Sequence, residues 1–70
     1  MIKIQNMAYY DKHTYFINPN NIVYISTTYD DGYVVIIRFT QELSIRLETY
    51  NEDKFNEWLK LLGVEIHDSI

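Results

Sequence analysis

Residues 24–39 read Y-I-S-T-T-Y-D-D-G-Y-V-V-I-I-R-F, and how the two halves of this stretch pair decides the fold. Both halves are rich in β-branched and aromatic side chains, and D-D-G between them is turn chemistry. A two-residue loop, Asp31-Gly32, would set Tyr24, Ser26, Thr28 and Asp30 on one face with Tyr33, Val35, Ile37 and Phe39. Polar and apolar residues would then mix on both faces. A three-residue loop, Asp30-Asp31-Gly32, instead gathers Val23, Ile25, Thr27 and Tyr29 with Tyr33, Val35, Ile37 and Phe39. One face becomes almost wholly apolar, and a slip of one residue would destroy it. The three-residue loop is therefore expected, as a type I turn with Gly32 in the left-handed conformation. It puts Tyr29 directly opposite Tyr33, an aromatic cross-strand pair closing the hairpin end.

Working outward, L-S-I-R-L-E-T (43–49) keeps the same phase. A connection of Thr40-Gln41-Glu42 sets Leu43, Ile45 and Leu47 beside Phe39, Ile37 and Val35, leaving Ser44, Arg46 and Glu48 on the other face. Upstream, Ile2 and Ile4 alternate with Lys3 and Gln5 as a short strand, A-Y-Y-D-K-H (8–13) is a turn, and T-Y-F-I (14–17) is a second strand. N-P-N-N (18–21) stops it, since Pro19 presets φ for a turn and asparagine bonds local backbone. Downstream, Asn51 is an N-cap, and Glu52 and Asp53 suit the first turn of a helix dipole. Phe55, Trp58, Leu59 and Leu62 follow at i, i+3, i+4 and i+7, with Gly63 placed as the C′ residue. A helix over about 52–62 results, and Val64-Glu65-Ile66-His67 reads as a short last strand. The expected architecture is α+β: an antiparallel meander of four or five strands with one C-terminal helix packed on one face.

Seventy residues form one domain, 1–70, with a modest core. No cysteine is present, which removes disulfides and thiolate metal sites and fits a reducing cytoplasm. His13 and His67 alone are a poor basis for zinc, so no metal or cofactor is expected. The net charge of −4, with six basic residues spread along the chain, argues against nucleic acid. Neither a signal peptide nor a membrane span is expected.

Chemistry is thin. Ser26, Ser44 and Ser69 lack a nucleophile context, His13 and His67 lack a positioned nucleophile, and Asp30 and Asp31 suit backbone capping in a turn. With only Gly32 and Gly63 there is no phosphate loop, and no enzymatic activity is expected. Binding is the alternative. The sheet's second face carries Tyr24, Val34 and Ile36 among polar residues, and Leu61 lies off the helical stripe. Apolar surface of this kind marks contacts, so a homodimer or small ring is expected, unless the sheet curls into a barrel. Tyr29 and Tyr33 at the hairpin end offer a second contact surface to a protein partner. Asp53 and Glu57, like charges at i,i+4, suggest an acidic face that steers a basic partner. A different class of function would use tyrosines: Tyr9, Tyr10, Tyr15 or Tyr24 stacking on a nucleotide, with Arg38 and Arg46 as phosphate donors.

M-I-K-I at the start, F-I-N-P-N-N-I-V-Y-I (16–25), V-V-I-I-R-F (34–39) and I-R-L-E-T (45–49), followed by an acidic helix start, resemble short bacterial proteins of the flagellar swarming-motility type. The resemblance covers about two thirds of the chain and implies a flagellar accessory role. Where that family has P-D-T and N-G-K, this chain has Y-D-D-G and T-Q-E. I-N-P-N-N-I-V-Y-I also resembles the start of LytTR-type DNA-binding domains, which are longer and basic. The reading that fits the whole chain is a non-catalytic protein-binding module, homo-oligomeric, of the kind phages or mobile elements use as inhibitors that occlude a partner.

Overall fold

The computed structural model describes residues 1–64. Five strands and one helix follow in order: β1 (Ile2–Gln5), β2 (Thr14–Ile17), β3 (Ile22–Tyr29), β4 (Tyr33–Phe39), β5 (Ser44–Thr49) and α1 (Glu52–Leu61). The α+β architecture is as expected, with one refinement. The strands divide into an antiparallel hairpin, β1–β2, and a three-stranded antiparallel meander, β3–β4–β5.

The paired register over 24–39 follows the apolar pattern. Tyr29 faces Tyr33, Thr27 faces Val35, and Ile25 faces Ile37. On the far side of β4, Val35 faces Leu47 and Ile37 faces Ile45. Val35, Ile37 and Leu47 are completely buried, and Trp58 and Leu59 of α1 close over them. Burial of such side chains stabilises by roughly 1.5–3 kcal/mol each relative to exposure. The β1–β2 hairpin shares this face: Ile4 and Ile17 enter the same core, flanked by Ile2 and Tyr15.

Two local details depart from expectation. The hairpin turn is not type I with Gly32 alone left-handed: Asp31 (φ 52°) and Gly32 (φ 146°) both have positive φ, and Asp30 N–H donates to Gly32 C=O at 2.9 Å. Short-chain Asp tolerates the left-handed region, which lets two consecutive residues reverse the chain. Near the start of β3 the register shifts between Ile22 and Tyr24. Ile22 rather than Val23 therefore sits opposite Phe39, and Val23 turns outward, 58% exposed. A bulge of this kind inserts one unpaired residue and re-aims its neighbours.

The β4–β5 turn has no glycine, and Glu42 takes the left-handed conformation itself (φ 60°), its N–H donating to Phe39 C=O at 3.1 Å. Asn51 caps α1 by accepting from Asp53 N–H at 2.8 Å and Lys54 N–H at 3.2 Å. Gly63 follows the helix with φ 78°. The strand expected over 64–67 falls, beyond Val64, outside the described residues.

Candidate functional site

The long connection between β1 and β2 is an ordered structure built on Asn6. This side chain is fully buried. Its Oδ1 accepts from Glu48 N–H at 2.9 Å and from Ala8 N–H at 3.2 Å, while Nδ2 donates to Arg46 C=O at 3.0 Å. The amide thus pairs with the outer edge of β5 as a neighbouring strand's peptide would. Farther along, Asp11 staples the loop shut: Oδ2 accepts from Tyr15 Oη at 2.6 Å, and Oδ1 accepts from His13 N–H at 3.1 Å and pairs with the His13 ring. The Tyr15 hydroxyl first, and then His13, hold the Asp11 carboxyl well below the usual carboxylate range. The same bond pushes the Tyr15 hydroxyl above its ordinary value.

Pinned this way, segment 7–10 stands against the far end of the meander and forms a cleft. Its lining is Met7, Ala8, Tyr9, Tyr10, Asp31, Gly32, Glu48, Thr49 and Tyr50, around a volume of about 140 Å³. Tyr9, Tyr50 and Tyr10 are 94%, 82% and 69% exposed. Gly32 lets Tyr50 come close, because a Cβ there would lie 3.3 Å from the Tyr50 ring. On the wall, Glu48 Oε2 is buried and accepts no hydrogen bond among the described residues; Arg46 Nε approaches to 3.4 Å without hydrogen-bond geometry. The Arg46 guanidinium is thus the counter-charge this oxygen already has. Ordinary ligand pockets run to roughly 300–1,000 Å³. At about 140 Å³ this cleft is smaller than that and is the size of the end of one side chain.

The residues singled out from sequence are spread over several surfaces. Tyr29 and Tyr33 meet edge to face, centroids 5.2 Å apart at 79°. Tyr33 also stacks on Phe55 (4.9 Å, 29°), and its hydroxyl donates to Glu52 Oε2 at 3.2 Å. Partial burial, then that bond, push the Tyr33 hydroxyl above its ordinary value. Tyr33 therefore ties the hairpin to the helix. Tyr24 and Ile36 lie on the second face, the first exposed and the second half-buried; Val34 on that face is fully buried, beside its cross-strand neighbour Glu48. Tyr24 faces Arg38, and Arg46 faces Ile36, so the proposed nucleotide residues share one open sheet face. Tyr24, Arg38 and Arg46 do not line the cleft, whereas Tyr9 and Tyr10, the other tyrosines expected to stack on a nucleotide, do. On α1, Asp53, Glu57 and Leu61 are exposed, with Lys54 Nζ 3.3 Å from Glu57, which dilutes the acidic run.

Sequence reasoning passed over Asn6, Asp11 and Tyr50. A polar residue directly after a strand, with Asp five positions later, was the available signal. Among the described residues there is no cluster of three or more potential metal ligands, and no helix is long and apolar enough to cross a membrane.

The fold and cleft define a class: a small α+β domain with an aromatic, partly acidic cleft formed by a pinned loop. Compared with protein-family models, curated proteins and solved structures, the chain matches none.

Proposed function

We propose that the protein is a non-catalytic protein-binding module that self-associates and works by occlusion, covering a functional site of a partner protein with its aromatic end. One observation carries this reading: Met7, Tyr9, Tyr10 and Tyr50 stand exposed around a single cleft instead of being scattered. Clustered exposed aromatics at the lip of a concavity are how contact hot spots are built. The occupant is a basic side chain, arginine or lysine, of the partner. Tyrosine faces attract a cation by roughly 0.5–2 kcal/mol. Asp31 supplies the counter-charge, Glu48 on the same wall being shared with Arg46, and the chain's net charge of −4 favours a basic partner's approach. The size of the cleft suits one such side chain.

Titration with short arginine-containing and glutamate-containing peptides, followed through the tyrosine ring resonances, tests this. Saturable shifts at Tyr9, Tyr10 and Tyr50 with the basic peptide alone are expected. Equal shifts with both peptides, or shifts at Tyr24 instead, would reject the cleft as the contact surface. The competing class, a nucleotide held between subunits, rests on Tyr24 facing Arg38. A nucleotide panel that perturbs Tyr24 and leaves Tyr9 unmoved would favour it.

A further inference from the structure

The two edges of the meander are treated differently by the rest of the chain. The outer edge of β5 is closed by the Asn6 amide, which occupies Arg46 C=O and Glu48 N–H. Beyond Ile22, whose N–H donates to Pro19 C=O, the outer edge of β3 receives no backbone hydrogen bond among the described residues. Its residues, I-V-Y-I-S-T-T-Y, form the longest strand in the molecule and carry no charge and no proline. Sheets normally protect such an edge with lysine, proline or a covering segment, because unpaired N–H and C=O groups template another strand. The pairing pattern says which groups are free. Phe39 N–H bonds Leu43 C=O and Asp30 N–H bonds Gly32 C=O. Antiparallel alternation then turns the backbone groups of Ile25, Thr27 and Tyr29 outward, away from β4.

We infer that β3 pairs antiparallel with β3 of a second copy, making a continuous six-stranded sheet; this rests on the self-association in the reading above and assigns its interface. Three features favour a second copy over a foreign strand. An antiparallel two-fold pairing keeps the same face up in both copies, so the apolar side bearing Ile25 and Tyr29 continues across the joint. Ile25 is only half-covered by its own chain and Tyr29 is exposed, and both gain cover there. Finally, an acidic chain can approach itself along this edge, since all its charges lie elsewhere. Centring the pairing on Ser26 sets Ile25 opposite Thr27 and Tyr24 opposite Thr28 of the second copy. The Asp30-Asp31 turns then lie at opposite ends of the joint.

Ser26 faces itself across the axis, in a pair without mutual hydrogen bonds, where Cα atoms approach to about 4.5 Å. That separation suits a disulfide, and the chain has no native cysteine to confuse the result. The experiment uses the full chain in three forms. Wild type should sediment, at the upper end of a concentration series, at twice its 8.5 kDa. Ser26→Lys, which places like charges in register on an exposed position, should sediment at the single mass, with its Trp58 fluorescence unchanged and the slow amide exchange of Ile25, Thr27 and Tyr29 lost. Ser26→Cys should form a covalent dimer on mild oxidation faster than Ser44→Cys. A wild-type monomer at every concentration overturns both the pairing and the self-association. A dimer that survives Ser26→Lys, with no faster cross-linking through Ser26→Cys, overturns the β3 joint alone and leaves self-association standing.

Discussion

The buried amide of Asn6 and the backbone N–H of Glu48 meet at 2.9 Å, forty-two residues apart in sequence, and this bond fixes where the aromatic loop stands. Truncating Asn6 to alanine leaves Glu48 N–H and Arg46 C=O without their partner. Each orphaned group costs about 1–3 kcal/mol, so Asn6→Ala is expected to lose about 2–6 kcal/mol. That is a large share of the stability of so small a domain. Asn6→Asp keeps the acceptor for Glu48 but presents a carboxylate to Arg46 C=O and to Asp11, already 3.4 Å from Nδ2. It should be no better than alanine at neutral pH. Urea unfolding followed by Trp58 fluorescence measures both.

Tyr33 joins two elements, whereas Tyr29 serves one. Aromatic pairs contribute about 0.5–1.5 kcal/mol beyond area burial. Tyr29→Thr should therefore lose about 1 kcal/mol, and Tyr33→Thr distinctly more, since it breaks contacts with both Tyr29 and Phe55. A double-mutant cycle between Tyr33 and Phe55 should return a coupling; strict additivity would mean that the stack does not tie hairpin to helix.

The Asp11–Tyr15 bond makes stability pH-dependent at both extremes. The Asp11 carboxyl is depressed when folded, so its contribution is complete above the unfolded value near 3.9 and is lost as pH falls below it. Tyr15 is raised when folded, so its contribution is complete below about 10 and is lost as pH climbs through the folded value. Melting temperatures of wild type and Tyr15→Phe should differ most at neutral pH and converge in strong acid and strong alkali. A difference constant with pH would contradict this.

Gly32 occupies φ 146°, a conformation that side chains rarely adopt, and a Cβ there would press on the Tyr50 ring. Gly32→Ala is expected to lose about 1–2 kcal/mol and to tilt Tyr50 out of the cleft. Asp31→Gly, at φ 52°, should be tolerated, because glycine enters the left-handed region without strain. Thermal unfolding of the two variants separates a turn requirement from a loss of charge.

Much of the fold was legible because alternation is a strong constraint. With Val35, Ile37, Ile45 and Leu47 one residue out of phase, no apolar face exists, so the register of β3, β4 and β5 could be chosen on paper. The helix was equally plain, with its cap, stripe and terminal glycine in agreement. The Ile22–Tyr24 bulge was hidden, because V-Y-I alternates as well through Val23 as around it. The division into two sheets was also hidden, since pattern specifies faces and not which strands are hydrogen-bonded. The cleft was the least legible part. Tyr50 lies forty residues after the adjacent Tyr9 and Tyr10, and they are brought together through Asn6, whose role depends on a long-range contact that no local spacing encodes.

The claim on which this account turns is that the tyrosines of the pinned loop hold a basic side chain. Calorimetric titration of an arginine-containing peptide into wild type and into Tyr9→Ser/Tyr10→Ser measures it directly. Both positions are exposed, so the variant should melt as wild type does. The account predicts binding by wild type and an affinity at least about tenfold weaker in the variant. Equal affinity for both proteins, or no binding by either, would contradict it.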